Sequence, residues 1–295
     1  MKNVKYYRVA GLDFRLLLPG GMDADELLPS FRNFKTMDGG SLIFSFNAAE
    51  GIPEGLGGRK LDESDTDLGH MVLIALESGA DVCGYMVELQ GLARGPVHRM
   101  YADCLFSDIR AELDWDSPDA GMALCSMLRI AFSQAVLLHG GISIHSSAVA
   151  LDGRAYLFLG SSGTGKSTHS AMWICSFDGC DLVNDDNPVL RVEDDIVFVY
   201  GSPWSGKTPC YRDVKYPVGG FARLRQSAEN RFRTCADVDA FVALLPSCSA
   251  VKGNMRLQDC LYDTISMICE RVPVGVMDCL PDCDSARICR KGFKY

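Results

Sequence analysis

The chain has no tightly paired cysteines, no massed basic residues and no long unbroken apolar run, and each absence removes a class of protein. Its 13 cysteines are spread from Cys83 to Cys289 without a single C-x-x-C pair; the nearest two are Cys279 and Cys283. Structural zinc sites call for paired ligands at tight spacing, so these cysteines read as small buried apolar residues in a reducing compartment. Lys and Arg number 29 against 38 Asp and Glu, and the net charge is −9. A phosphate backbone would be repelled, which sets nucleic-acid binding aside. The longest stretch without a charged residue, 130–151, is interrupted by Gly140-Gly141, two histidines and several serines. It reads as helix, turn and strand rather than a membrane span. Residues 1–18 carry Lys2, Lys5, Arg8, Asp13 and Arg15 among apolar neighbours, which is not the pattern of a signal peptide. A cytoplasmic protein without a membrane partner is expected.

What is present is 295 residues, 47% of them hydrophobic and 23% charged, enough for one large domain or two ordinary ones. The first third is strand-rich. Residues 4–18, 41–46, 71–76 and 82–89 are β-branched, aromatic or alternating, with a turn at Pro19-Gly20-Gly21. The polar, Gly-rich segment 49–69 reads as an exposed loop. From Ala120 to about Leu138 apolar residues recur at helical spacing, and Gly140-Gly141 ends the helix. These signals place a domain boundary near Pro118. A strand-rich domain over 1–117, of unknown role, precedes an α/β domain over 118–295. In the latter, strands are expected at 142–151 and 155–159, at 181–183, 188–192 and 196–200, and at 272–277. Helices are expected at 166–175, 256–270 and 283–290.

The chemistry begins at Gly160-Ser161-Ser162-Gly163-Thr164-Gly165-Lys166-Ser167, followed by Thr168. This matches G-x-x-x-x-G-K-[ST], a phosphate-binding loop, entered by a strand and left by an amphipathic helix. Gly163 and Gly165 allow successive N–H groups to turn inward toward phosphate oxygens. The helix beginning near Lys166 aims its free N–H groups and dipole at the same anion. Lys166 neutralises β/γ-phosphate charge and the Ser167 hydroxyl ligates Mg²⁺, so ATP with Mg²⁺ is the expected ligand pair.

Beyond Lys166 the chain reads Leu182-Val183-Asn184-Asp185-Asp186-Asn187-Pro188. Adjacent carboxylates at a strand end suit a metal ligand and a proton acceptor; the same residues also make good composition for a solvated turn. His145 stands on a strand next to the one that feeds the loop, where a lone histidine serves packing or catalysis. His169 and Trp173 share a helix face and read as packing residues.

These residues resemble the catalytic domain of HPr kinase/phosphorylase and, more distantly, ATP-dependent phosphoenolpyruvate carboxykinase. The resemblance rests on His145 fifteen residues before Gly160, on the loop, and on the Leu182-Val183-Asn184-Asp185-Asp186 segment, and covers 142–200 best. It implies an α/β fold (α+β overall) in which a P-loop domain carries the strand-rich N-terminal accessory domain. By resemblance Asp185 is the general base, His145 the active-site histidine, and Asp186 a second metal-site carboxylate. The implied activity is a kinase transferring phosphate to a hydroxyl of a protein, a peptide or a small molecule. A homo-oligomer is compatible with it. Two rival readings stand beside it: a non-catalytic nucleotide sensor and a carboxykinase-type enzyme. This chain departs from HPr kinases at Asn184, where they usually carry a small residue, and it lacks their arginine-containing signature loop. In that loop's place stands Gly201-Ser202-Pro203-Trp204-Ser205-Gly206-Lys207-Thr208. Lys207 or Arg212 are candidates for the missing positive charge; Trp204 belongs to a substrate-side loop or to a packed structural turn.

Overall fold

The computed structural model describes residues 3–37, 39–55, 57–66, 69–79, 81–91, 95–206 and 208–293. It is a mixed α/β protein with two large sheets. It divides into two compact units, Met1–His139 with Val251–Leu257, and Gly140–Ala250 with Gln258–Tyr295.

The first unit is built on β1 (Asn3–Val9), β2 (Leu12–Leu18), β3 (Lys35–Thr36), β4 (Leu42–Asn47), β5 (Gly58–Thr66), β6 (Gly69–Ser78), β7 (Asp81–Gln90), β8 (Val97–Asp103) and β9 (Asp108–Glu112). They pair in the order β3-β1-β2-β4-β9-β8-β7-β6-β5. The contacts β2–β4 and β4–β9 are parallel, the rest antiparallel. Aromatic side chains fill its core. Phe14 stacks on Phe44 with ring centroids 4.6 Å apart, and Tyr7 meets Phe31 edge-on at 5.3 Å. Two helices belong here, α1 (Ala24–Leu27) and α2 (Ala120–Ala135). Leu124, Met127, Leu128, Ala131 and Phe132 make the buried stripe of α2, a spacing of three and four that points one helix face inward.

Two sequence expectations change here. The division falls after His139, not at Pro118, because the stripe of α2 packs against β4 and β8, with Phe132 6.1 Å from Phe14. Part of the segment 49–69, expected as a loop, is strand β5. It lies at a sheet edge, where alternating charges such as Arg59 and Glu63 discourage further pairing and give a strand the composition of a loop. Helix α2 with its 3₁₀ extension to His139 is long and apolar enough by composition to cross a membrane, but most of it is buried inside the unit.

The second unit contains β10 (Gly141–Ser143), β11 (Ser146–Leu151), β12 (Arg154–Leu159), α3 (Lys166–Ser176), β13 (Asp181–Asp186), β14 (Val189–Glu193), β15 (Ile196–Tyr200), β16 (Lys215–Gln226), β17 (Arg231–Cys235), α4 (Asp237–Leu244), α5 (Met255–Arg271), β18 (Val274–Cys279) and α6 (Cys283–Gly292). The main sheet runs β10-β14-β15-β16-β12-β11-β13, and β18 joins it beside β16 and pairs with β17. Strands β12, β16 and β18 are mutually parallel. Val149, Phe158, Ala222, Leu224 and Met277 face Trp173 of α3 and Cys289 of α6, forming the core on one side of the sheet.

The strand expected over 142–151 is two strands, β10 and β11, in different parts of the sheet. Between them Ile144 and His145 turn the corner. Their N–H groups donate to Pro188 O at 3.0 Å and Ser247 O at 2.8 Å. Strand β16 is unannounced in the sequence: Pro217, Gly219, Gly220, Arg223 and Arg225 read as loop composition. It is ordered because three neighbours, β15, β12 and β18, hydrogen-bond along it.

Candidate functional site

The candidate site is at the carboxyl end of β12, between the antiparallel β11 and the parallel β16, where the chain leaves the sheet for α3. The loop 160–167 leaves β12 and enters α3. Gly165, the residue before the helix, has φ +105, a left-handed conformation suited to glycine. It lets the chain reverse so that the first turn of α3 presents its free N–H groups. Ser161, Ser162, Gly163, Ser167 and Thr168 are exposed, and Thr164, Gly165 and Lys166 half-buried. Thr164 N–H donates to Ser161 O at 3.2 Å, closing the loop on itself.

Lys166 is the centre of the arrangement. Its Nζ donates to His145 Nε2 at 2.9 Å, to Gly160 O at 3.0 Å and to Ser161 O at 3.3 Å. His145 Nδ1 lies 2.9 Å from Asp186 Oδ1. An ammonium can only donate, so Nε2 carries the lone pair and Nδ1–H faces the carboxylate. Burial lowers the Lys166 pKa; Asp186 and Asp185 pull it back up, and Arg223 adds to the drop. Lys166, His145 and Asp186 are thus joined directly, with Asp185 close enough to act on the lysine through its charge.

Asp185 and Asp186 are the last residues of β13 and pair with Ser147 and Ser146 of β11. The register shifts at Val149, a bulge that re-aims the strand end. The pair is not a solvated turn, since Asp185 is only 4% exposed. The second glycine loop lies over it: Gly206 N–H donates to Asp185 O at 2.7 Å, and Thr208 N–H approaches Asp185 Oδ2 at 3.4 Å. A Cβ on Gly206 would stand 2.5 Å from Asp185 O, so no other residue fits this approach unmoved.

Asn184 explains how that loop is held. Fully buried, it donates through Nδ2 to Trp204 O at 2.9 Å and Ser202 Oγ at 3.3 Å. Its Oδ1 accepts from the N–H groups of Asp186 and Asn187 at 3.0 and 2.9 Å. One amide therefore shapes the acidic strand end and ties Ser202 and Trp204 to it. Sequence reasoning marked Asn184 only as a departure; a polar residue after Leu182-Val183 in a strand was the available signal.

The other candidates divide. Trp204 is buried and packs as part of the turn. Arg212 donates to Asp181 Oδ2 at 3.1 Å and Leu182 O at 2.6 Å. That is the opposite end of β13 from the two carboxylates, so Arg212 is not brought to the lysine. Lys207 lies outside the described residues. Arg223 of β16 is level with Leu159 on the neighbouring strand, and its charge helps to lower the Lys166 pKa. Nothing in the sequence distinguished it from other arginines.

His169 and Trp173 behave as packing residues. Trp173 is fully buried and donates through Nε1 to His169 Nε2 at 3.2 Å; burial pushes the histidine pKa down to about 4. All 13 cysteines are free thiols. Among the described residues no group of three His, Cys, Asp or Glu side chains is gathered for a metal ion.

A search of solved structures returns the HPr(Ser) kinase/phosphatase from Coxiella burnetii among its matches, at 13% identity and a TM-score of 0.30, over 50% of this chain and 86% of that one. No protein-family model matches the chain. No curated protein matches it.

Proposed function

We propose that the chain is an ATP- and Mg²⁺-dependent phosphotransferase with an HPr kinase-like, phosphoenolpyruvate carboxykinase-like P-loop domain. Its acceptor is a hydroxyl, on a serine of a protein or peptide or on a small molecule. The observation that carries the reading is the convergence of Lys166, His145 and Asp186 at the mouth of a glycine loop, within reach of the Asp185 charge.

In this reading the loop N–H groups, the first turn of α3 and Lys166 bind the β- and γ-phosphates of ATP. Asp185 accepts the proton of the acceptor hydroxyl as its oxygen bonds to the γ-phosphorus. The bond from that phosphorus to the β–γ bridging oxygen breaks, and ADP leaves. His145 keeps Lys166 and Asp186 in register. One hydroxyl, Ser167, and one carboxylate, Asp186, form an oxygen donor set that suits Mg²⁺, which keeps waters and phosphate oxygens rather than an all-protein cage. Bound there, the ion would neutralise phosphate charge.

A nucleotide sensor is the second reading, favoured by the burial of Asp185 and by its bonds to the N–H groups of Gly206 and Thr208. Asp185→Asn separates the two. With γ-¹⁸O-labelled ATP, Mg²⁺ and a cytoplasmic extract, wild type is expected to move label to an acceptor and the variant is not. Both should keep ATP affinity within about threefold, because Asp185 is not a phosphate ligand. Label transfer by neither, with ATP bound by both, rejects the phosphotransferase and supports the sensor. Failure of wild type to bind ATP rejects both.

A further inference from the structure

We infer that Arg223 is a positioning residue for His145, acting through Ser247; the consequence for catalysis rests on the phosphotransferase reading above. Ala222 and Leu224 of β16 point into the core shared with α3 and α6. Side chains alternate along a strand, so Arg223 stands on the other face. Its Nε donates to Ala243 O in the last turn of α4, and its Nη2 donates to Ser247 Oγ at 2.9 Å. A guanidinium at a helix C-terminus stabilises the free carbonyls there, and its planar fork fixes two acceptors at once. Ser247 is buried, and its carbonyl accepts the His145 N–H at 2.8 Å.

That last bond is the reason the arrangement matters. His145 lies in the corner between β10 and β11, where no strand ladder holds its main chain. Its side chain is 42% exposed, and its ring nitrogens meet Lys166 and Asp186. The direction of the imidazole is set by the backbone at the corner and by its two polar partners. The Ser247 carbonyl fixes that backbone, and Arg223 fixes Ser247. A connected line runs from Arg223 through Ser247 to His145, and from there to Lys166 and Asp186. A site needs such support, because a slack second layer leaves its functional groups misplaced.

A helix cap alone would leave the imidazole untouched, so the test reads the ring itself. The full-length chain is labelled with ¹⁵N-histidine and ¹⁵N-tryptophan. The His145 signals are assigned with His145→Gln, and the Trp173 indole N–H reports the intact fold. In wild type the Nδ1–H tautomer is expected to dominate. Arg223→Gln should lower the Nδ1–H to Nε2–H ratio about threefold or more, since the ring loses its register with Lys166 and Asp186. Ser247→Ala should move it less and in the same direction, and Arg223→Lys should restore part of it. An unchanged ratio in Arg223→Gln with the Trp173 signal intact overturns the inference. If that variant loses the Trp173 signal, Ser247→Ala decides, and an unchanged ratio there overturns it equally. The readout needs no nucleotide. A wild type that fails to bind ATP removes the phosphotransferase reading and leaves the tautomer result standing, whereas an unmoved tautomer beside normal ATP binding removes only the Arg223 assignment.

Discussion

The second unit carries two glycine-rich loops, and they are held in opposite ways. The 160–167 loop closes on its own Ser161 carbonyl and on Lys166, and half of its residues are exposed. The second, over 201–206, is fastened from beneath, by Asn184 and by the Asp185 main chain, with Trp204 buried. The first is closed by bonds among its own residues; the second is bonded to the strand end beneath it. A glycine-rich sequence therefore does not by itself mean a binding loop. What separates the two is whether the backbone groups already have partners.

The largest effect should come from cutting the second loop's anchor. Asn184→Ala removes four hydrogen bonds, to Ser202 Oγ and Trp204 O and from two N–H groups, and is expected to cost about 4 kcal/mol, at roughly 1 kcal/mol for each bond lost. Urea denaturation would measure it. A loss below about 1 kcal/mol would mean that the second loop is as self-supporting as the first.

Lowering the pH acts on the other side of the comparison, through the helix that follows the 160–167 loop. His169 is neutral in its buried site, with its pKa pushed down from 6.5 to about 4. The unfolded chain takes up the proton first, so this contribution is complete above about pH 6.5. It is lost as the pH falls toward about 4, by roughly 3 kcal/mol in total. His169→Gln should flatten that part of the stability curve, followed by tryptophan fluorescence at successive pH values, whereas Asn184 does not titrate and its variant should keep the slope.

The smallest effects should come from a methyl group placed in each loop. At Gly206 the new Cβ would meet Asp185 O at 2.5 Å, so the loop must lift, at about 2 kcal/mol. At Gly165 nothing lies within 4 Å, and Gly165→Ala carries only the left-handed backbone strain, about 1 kcal/mol. If Gly165→Ala proved the more destabilising in urea midpoints, the contrast between a free loop and a fastened one would fail.

Local order explains which parts of the site could be read in advance. The 160–167 loop, its entering strand and its leaving helix are contiguous, so residue types and spacing sufficed to describe them. Asp185 and Asp186 follow at a strand end that apolar residues announced. Arg212 was a reasonable candidate until the fold turned its guanidinium to Asp181 and Leu182. Arg223 and the role of Asn184 depend on partners 18 to 26 residues away, and no local pattern records such distances. The strands β5 and β16 were missed for a related reason: edge position and three-sided pairing, not propensity, made them strands.

By itself, then, the sequence determined the 160–167 glycine loop, the helix behind it, the carboxylate pair and the apolar stripe of α2. Each of these rests on φ/ψ preferences and periodicities that act within a few residues. Only the tertiary structure decided that 142–151 breaks into two strands at His145, that α2 belongs with the first unit, and that Asn184 clasps the second loop. Those outcomes turn on which backbone donors find which acceptors across the fold, and that pairing is settled only when distant strands have come together.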